Sequence, residues 1–384
     1  MKVKNIDIFS PYIIVAVILL YVGLALIAYQ YHLRDLNFVS NETLFAVFFG
    51  TLFFIIGALT PKIIGKFNLI PNLNTGSISK DKIKEKLQSS KLNRLLDEKV
   101  ILAVVLIAIF LEFLNTYLLG GIPLFSGYLK AKSTTDFWRV AYVLFLPAIT
   151  ILIAKYPRKW YYLLALIGWG LFVITGYRTT TMAILISLFI VVYYTRGLKF
   201  KHFLAFAVIA AVIGIAVGYI AVKSIEWQQW ALNPLQLVAY RAGFTLMVFD
   251  KVVHMAGATN GAMFYNTFTS GHPRYIVGDV VLGYHKMITS TIFGPAMLDF
   301  GYIGLAVQMF ILGFILRLVY SVHKLMDGTF TALYAIILAS TMVWVETGPT
   351  DFSVWLFYAL AILSVVVFAR SVWSLSKEGS KASS

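Results

Sequence analysis

Apolar runs long enough to cross a bilayer recur along this chain, from Pro11–Tyr29 near one end to residues 352–369 near the other. A helix needs about 20 mainly apolar residues to span the hydrocarbon of a membrane. No water reaches backbone N–H and C=O groups there, so helices are the default over isolated strands. The candidate spans are residues 11–30, 43–60, 100–119, 140–154, 160–177, 180–194, 203–222, 301–320, 330–346 and 352–369. They predict an all-α fold, a polytopic transmembrane helical bundle of about ten crossings. Composition agrees. Hydrophobic residues make up 60% of the chain and charged residues 13%, against about 45–50% and about 25% in a soluble domain.

Residues 1–370 read as a single transmembrane domain, and 371–384 as a cytoplasmic tail. The first apolar run is too long for a signal-peptide core and no small-residue cleavage site follows, so it is expected to stay as a helix. The sequence contains no cysteine, which rules out disulfides, thiolate metal sites and a cysteine nucleophile. The formal charge is +15. On a soluble chain that would suggest nucleic acid; here it reports topology, and no nucleic-acid partner is expected. With Met1 inside, the inner segments 1–10, 61–99, 155–159, 195–202, 317–329 and 370–384 hold 22 of the 32 Lys and Arg. The bias predicts a multi-pass protein of the cell membrane with both termini in the cytoplasm. Inner cations then set topology and meet anionic membrane lipids. Outer arginines need another explanation.

Two loops are long. The cytoplasmic loop 61–99 carries Ser79–Lys99, which reads either as an amphipathic helix on the inner leaflet or as a solvated connector. The outer segment 223–300 mixes apolar stretches with Trp227, Trp230, Tyr265, Tyr275 and Tyr284. That aromatic density predicts interfacial or re-entrant helices, and long segments of this kind usually carry function.

Three outer arginines are candidates for chemistry. Arg178 follows Gly176 and Tyr177 and precedes Thr179, Thr180 and Thr181. A tight turn there would set its guanidinium beside the N-terminus of the next helix, where unpaired N–H groups favour phosphate. Arg241 follows Tyr240 inside an apolar stretch, and Arg274 lies in Gly271-His272-Pro273-Arg274-Tyr275. Arginine binds phosphate bidentately and keeps its charge when partly desolvated. The competing reading is that these groups snorkel to headgroups or pair with Asp or Glu. Arg178 and Arg241 have no acid adjacent in sequence, which favours function at those two. His272, His285 and Asp279 are candidate bases, and Glu226, Asp250, Asp299, Glu346 and Asp351 are further acids that the sequence does not rank. Metal-ligand spacing is absent, so no metal or other cofactor is expected. Ser290 and Thr291 precede Gly294-Pro295, a pattern suggesting a broken helix facing a polar cavity. Gly301 and Gly304 would let helices approach closely.

Gly120-Gly121-Ile122-Pro123-Leu124, Gly176-Tyr177-Arg178, Tyr240-Arg241-Ala242-Gly243 and the run from Ser290 to Gly304 occur in this order. Together they resemble the oligosaccharide repeat-unit polymerases, the Wzy-type O-antigen polymerases, over roughly residues 1–370. The resemblance implies a membrane glycosyltransferase of the C-like superfamily that includes the O-antigen ligases. It implies transfer of polyprenyl-diphosphate-linked oligosaccharide at the outer face, without a nucleotide sugar or a metal. Flippases and chain-length regulators are the implied protein partners. Arg178 and Arg241 match the arginines implicated in the ligases. The ligase histidine falls near Ser290 or Thr291 here, which fits a polymerase better and leaves the base unassigned. Tyr177, Thr179, Tyr240, Ser290 and Thr291 are the expected substrate-binding residues, with Arg178, Arg241, Arg274, His272, His285 and Asp279 the catalytic candidates. Alternatives are ligase-type transfer to another lipid and a lipid-linked glycan flippase or transporter. A transporter would need interior charges and paired repeats, which the sequence does not display.

Overall fold

The structure, a computed structural model, describes residues 7–66, 82–83, 85–86, 97–156, 158–224, 232–269 and 271–382. Most of the expected surface helix at 79–99, together with Glu226, Trp227 and Trp230, lies outside the described residues. The described chain is helical without strands. Its helices are α1 (Ile13–Gln30), α2 (Asn41–Lys66), α3 (Glu98–Leu118), α4 (Gly127–Lys132), α5 (Asp136–Lys155), α6 (Lys159–Ile174) and α7 (Arg178–Arg196). They continue with α8 (Phe200–Lys223), α9 (Pro234–His254), α10 (Ala262–Phe268), α11 (Pro273–Ile276), α12 (Gly294–Leu325), α13 (Thr329–Thr347) and α14 (Phe352–Ala382).

Among the described residues, 9 helices are long and apolar enough to cross a membrane. This is the all-α, multi-pass membrane protein that the apolar runs predict. The remaining expected span, α6, has 16 residues and reaches only about 24 Å at 1.5 Å per residue, under the roughly 30 Å of hydrocarbon. It stops early because Gly176, at φ +74°, turns the chain where a residue with a Cβ would be strained. Other helices outrun their apolar cores. α5 and α7 each extend into charged ends, Asp136 and Arg139 in one and Arg178 and Arg196 in the other, because polar residues continue a helix beyond the hydrocarbon at little cost.

Two compact units emerge from the contacts: residues 1–60, 231–317 and 340–356 in one, 61–230, 318–339 and 357–384 in the other. In the first, α1 lies along α9, and the Tyr29 hydroxyl donates to the Gly243 carbonyl across 2.8 Å. Asp250 of α9 caps the start of α2. One of its oxygens accepts from the Ser40 backbone N–H at 2.8 Å, the Ser40 hydroxyl at 2.6 Å and the Thr43 hydroxyl at 2.7 Å. Burial alone would raise this carboxyl, but those hydrogen bonds and nearby His254 outweigh it and hold Asp250 below the usual range.

α2 and α12 approach through reciprocal glycines. A Cβ at Gly57 would lie 2.1 Å from the Phe310 carbonyl oxygen, and one at Gly313 would lie 2.1 Å from that of Phe54. Small residues permit such backbone contact between membrane helices. The sequence offered Gly301 and Gly304 for this role, and the structure assigns them another. Gly301, at φ +63° and ψ −151°, breaks α12, and Gly304 sits against Phe300 and Ala296 of its own chain segment.

In the second unit, α3 packs along α5. Tyr142 and Phe145 of α5 meet Phe172 of α6. The Pro123–Phe125 turn lays Leu124 against Val217 and Ala221 of α8, and Gly127 N–H donates to the Ser224 carbonyl at 3.2 Å. α8 keeps few buried residues and exposes Leu204, Val208, Ile209 and Val212. In lipid that surface is matched to its solvent.

Gly313→Ala should destabilise the protein by about 1–3 kcal/mol, the cost of overpacking a close contact. Gly170→Ala, with no atom within 4 Å of the new Cβ, should be neutral or stabilising by up to about 1 kcal/mol. Melting temperatures in one detergent, compared for the two variants, check the contrast.

Candidate functional site

In the first unit the last turn of α13 together with its link to α14, Val345 to Asp351, is the organising element. Arg241, half-buried on α9, meets Glu346 through one terminal nitrogen at 3.1 Å. Arg274, on α11, grips Asp351 with Nη2 at 2.8 and 3.0 Å from its two oxygens, and donates through Nε to the Thr350 hydroxyl at 3.0 Å. This stretch is tied further by Ile292 N–H to the Val345 carbonyl and by Trp355 Nε1–H to the Pro349 carbonyl at 3.1 Å. Both arginines are therefore paired with acids. For Arg241 this corrects the inference drawn from sequence neighbours. Its acid lies 105 residues away in the chain, a distance at which adjacency says nothing.

A second cluster sits on the loop that follows α11. Residues 277–282 form a π-helical turn. The chain then folds back, with Tyr284 N–H bonded to the Gly278 carbonyl and Ile288 N–H to the Arg274 carbonyl. This return brings His285 onto Tyr275, rings parallel within 4° and centroids 4.3 Å apart. It also sets His285 Nδ1 3.0 and 3.1 Å from the Asp279 oxygens. A carboxylate accepts, so Nδ1 carries the proton and Nε2 is left as the acceptor. The His285 side chain is 73% exposed. Tyr275, Asp279 and His285 thus share one short turn directly after Arg274, with Asp279 and His285 exposed and Arg274 half-buried. His272 is exposed and meets Tyr275 edge-on.

Tyr240 stacks on Phe244 and lies under the Arg34 guanidinium, 5.6 Å from ring centroid to Cζ. Burial pushes its hydroxyl up against the opposing pull of Arg34 and Arg241. Ser290 and Thr291 are buried. Thr291 adopts φ +65°, unusual for a β-branched residue, and its hydroxyl accepts from Phe293 N–H at 3.3 Å. Two bland roles also become visible. Asp299 accepts from the Thr259 hydroxyl and from Met263 and Phe264 N–H, and Asp250 caps α2 as above. Neither acid belongs to the exposed cluster.

In the second unit, Arg178 opens α7 directly after the Gly176 turn, as the motif predicts. Its aliphatic stem packs beside Gly218 of α8. Tyr177 donates from its hydroxyl to the Lys130 carbonyl at 3.0 Å, and the Lys130 ammonium stands over the Tyr177 ring. Thr179 is half-buried; Thr180 and Thr181 are buried. The Gly120–Leu124 segment and the Arg178 turn, remote in sequence, therefore meet: a Cβ at Gly176 would touch Leu124 Cα at 3.3 Å. Sequence reading missed Thr350 as an arginine partner and Lys130 as a neighbour of Tyr177. Neither carries a local signal.

A family profile described as "Putative O-antigen polymerase" matches residues 7–358. Two proteins of Methanocaldococcus jannaschii are similar to this chain. Uncharacterized protein MJ0420 is 31% identical over 65% of this chain and 60% of its own length. Uncharacterized protein MJ0419 is 25% identical over 63% of this chain and 69% of its own length. The match thus spans less than two thirds of MJ0420. No solved structure matches the chain.

Glu346→Ala should leave the half-buried Arg241 guanidinium without its carboxylate and cost about 1 kcal/mol, the order expected for an ion pair that water still reaches. A lowered melting temperature in detergent is the expected readout, and an unchanged one would mean the pair contributes nothing to stability.

Proposed function

This chain belongs to the O-antigen polymerase family, and from that membership we propose that it is a membrane glycosyltransferase joining oligosaccharide repeat units carried on polyprenyl diphosphate. The reaction takes place at the outer face of the cell membrane, with both termini in the cytoplasm. An acceptor sugar hydroxyl attacks the anomeric carbon of the donor glycan. The bond from that carbon to the bridging oxygen breaks, and the electron pair leaves with the polyprenyl diphosphate.

The observation that carries this reading is the pairing of Asp279 with the exposed His285 on the turn that directly follows Arg274 of α11. His285 Nε2 takes the proton of the attacking hydroxyl. Asp279 holds the ring in that tautomer and stabilises the imidazolium that forms, the logic of an oriented general base. The arginines answer the other half of the chemistry. Negative charge builds on the bridging oxygen in the transition state, and preorganised guanidinium groups lower its energy. Arg241 and Arg274 in the first unit are the groups assigned to diphosphate, and Arg178 in the second is assigned an anion contact of its own. Tyr177, Thr179 and Tyr240 are assigned to substrate contact, and His272 supports the loop of His285. Ser290 and Thr291, being buried, serve substrate only by shaping the backbone around them.

Purified protein supplied with lipid-linked repeat units should yield a ladder of lengthening products. Transfer only to a different lipid would make the protein a ligase, and redistribution across a vesicle without new bonds would make it a flippase. Arg178→Ala should abolish the ladder while leaving expression intact, and normal chain lengths in that variant would remove Arg178 from the mechanism. His285→Asn should lower kcat by about 10²–10⁴-fold, the usual contribution of a general base, with a smaller loss for Asp279→Asn. An unaltered kcat in His285→Asn would reassign the base.

A further inference from the structure

Glu112 sits in the apolar helix α3 with no exposed surface, and the mechanism above does not use it. A carboxyl in the interior of a membrane helix is expensive and tends to be kept for a purpose. Its bonds run toward the Arg178 turn. One carboxyl oxygen accepts from the Asn115 amide N–H at 3.4 Å, three residues on and on the same helix face. The other is buried without a hydrogen-bond partner among the described residues. Asn115, itself buried, donates to the Ser133 carbonyl at 3.3 Å and accepts from the Thr135 hydroxyl at 2.7 Å.

Both ends of the segment between α4 and α5 are thereby fastened to α3. The segment in turn fastens the site. The Ser133 hydroxyl donates to the Lys130 carbonyl at 3.0 Å, and the Tyr177 hydroxyl reaches that same carbonyl. Thr135 accepts from Trp138 N–H at the start of α5, and the Trp138 ring lies 5.7 Å from that of Tyr177. Lys132 bonds to the Tyr128 hydroxyl and stands over its ring. One buried carboxyl thus anchors a short basic segment beside the residue that precedes Arg178.

We propose that Glu112 is a positioning residue: acting through Asn115, it holds residues 127–135 so that Lys130 and Lys132 meet the anionic, lipid-linked substrate beside Arg178. The proposal rests on the polymerase reading for the identity of that substrate, but the latch itself does not. A positioning role predicts weaker substrate binding when the latch is cut. Glutamine, which keeps an acceptor oxygen for Asn115, should restore it.

The chain has no cysteine, so a single Ala131→Cys spin label on the exposed side of the segment reports its motion without background. The experiment uses the full chain in lipid nanodiscs. Glu112→Gln should match the parent in label mobility and in KM for lipid-linked repeat units. Glu112→Leu should free the label and raise KM about tenfold with kcat little changed, the signature of lost substrate binding. An immobile label in Glu112→Leu overturns the latch. A freed label with unchanged KM, or a loss confined to kcat, overturns the substrate-presenting role. A glutamine variant as damaged as leucine overturns positioning through the acceptor oxygen. Should Glu112→Leu fail to assemble, Asn115→Ala cuts the same bridge and carries the same outcomes. If the parent makes no polymer, the polymerase reading falls together with substrate presentation, and the label alone decides the latch.

Discussion

A guanidinium among apolar helices stays only where something shares its charge, and in one unit of this protein the end of α13 and its link to α14 do so twice. Glu346 takes Arg241 and Asp351 takes Arg274. The same stretch is bonded at Val345 to Ile292 and is approached at Gly348 by the Thr291 carbonyl. Three regions remote in sequence therefore take their positions from one stretch of chain. Pairing does not disqualify an arginine from binding an anion. An ion pair with hydrogen-bonded geometry keeps the side chain ordered, and an ordered cation stabilises developing charge without reorganising when the charge appears. Arg274 illustrates the division: Nη2 serves Asp351 and Nε serves Thr350, which fixes the plane of the fork.

Helices were readable from sequence because their cause is local. A run of apolar residues in lipid has to pair its own backbone, and every predicted span corresponds to a helix of the structure. The errors fall where the cause is not local. α6 ends short because of the turn at Gly176, and α12 begins seven residues before its predicted span and then breaks at Gly301. The site was less legible. The Arg178 turn was visible from its glycine and the helix that follows. The acids that hold Arg241 and Arg274 lie 105 and 77 residues away, and no periodicity connects them. Glu112 did leave a signal, since a lone acid followed three residues later by Asn marks one polar face in an otherwise apolar helix. Reading the run only as a span hid it.

The exposed histidine raises a question of precision. A base at the surface is usually mobile, and mobility dilutes catalysis because the reacting atoms must meet in a narrow geometry. His285 escapes this through two contacts of different kinds. Asp279 fixes which nitrogen carries the proton, and the face of Tyr275 fixes the plane of the ring. Neither contact covers Nε2. The loop that makes both is held by backbone bonds at Gly278 and Arg274, so the arginine and the base of the proposed reaction stand at the two ends of one hydrogen-bonded turn. A base in the proposed role takes a proton from a sugar hydroxyl on the aqueous side and so needs exposure, and for His285 order is supplied by a carboxylate and an aromatic ring rather than by burial. That arrangement separates the two demands, access and orientation, onto different faces of a single imidazole.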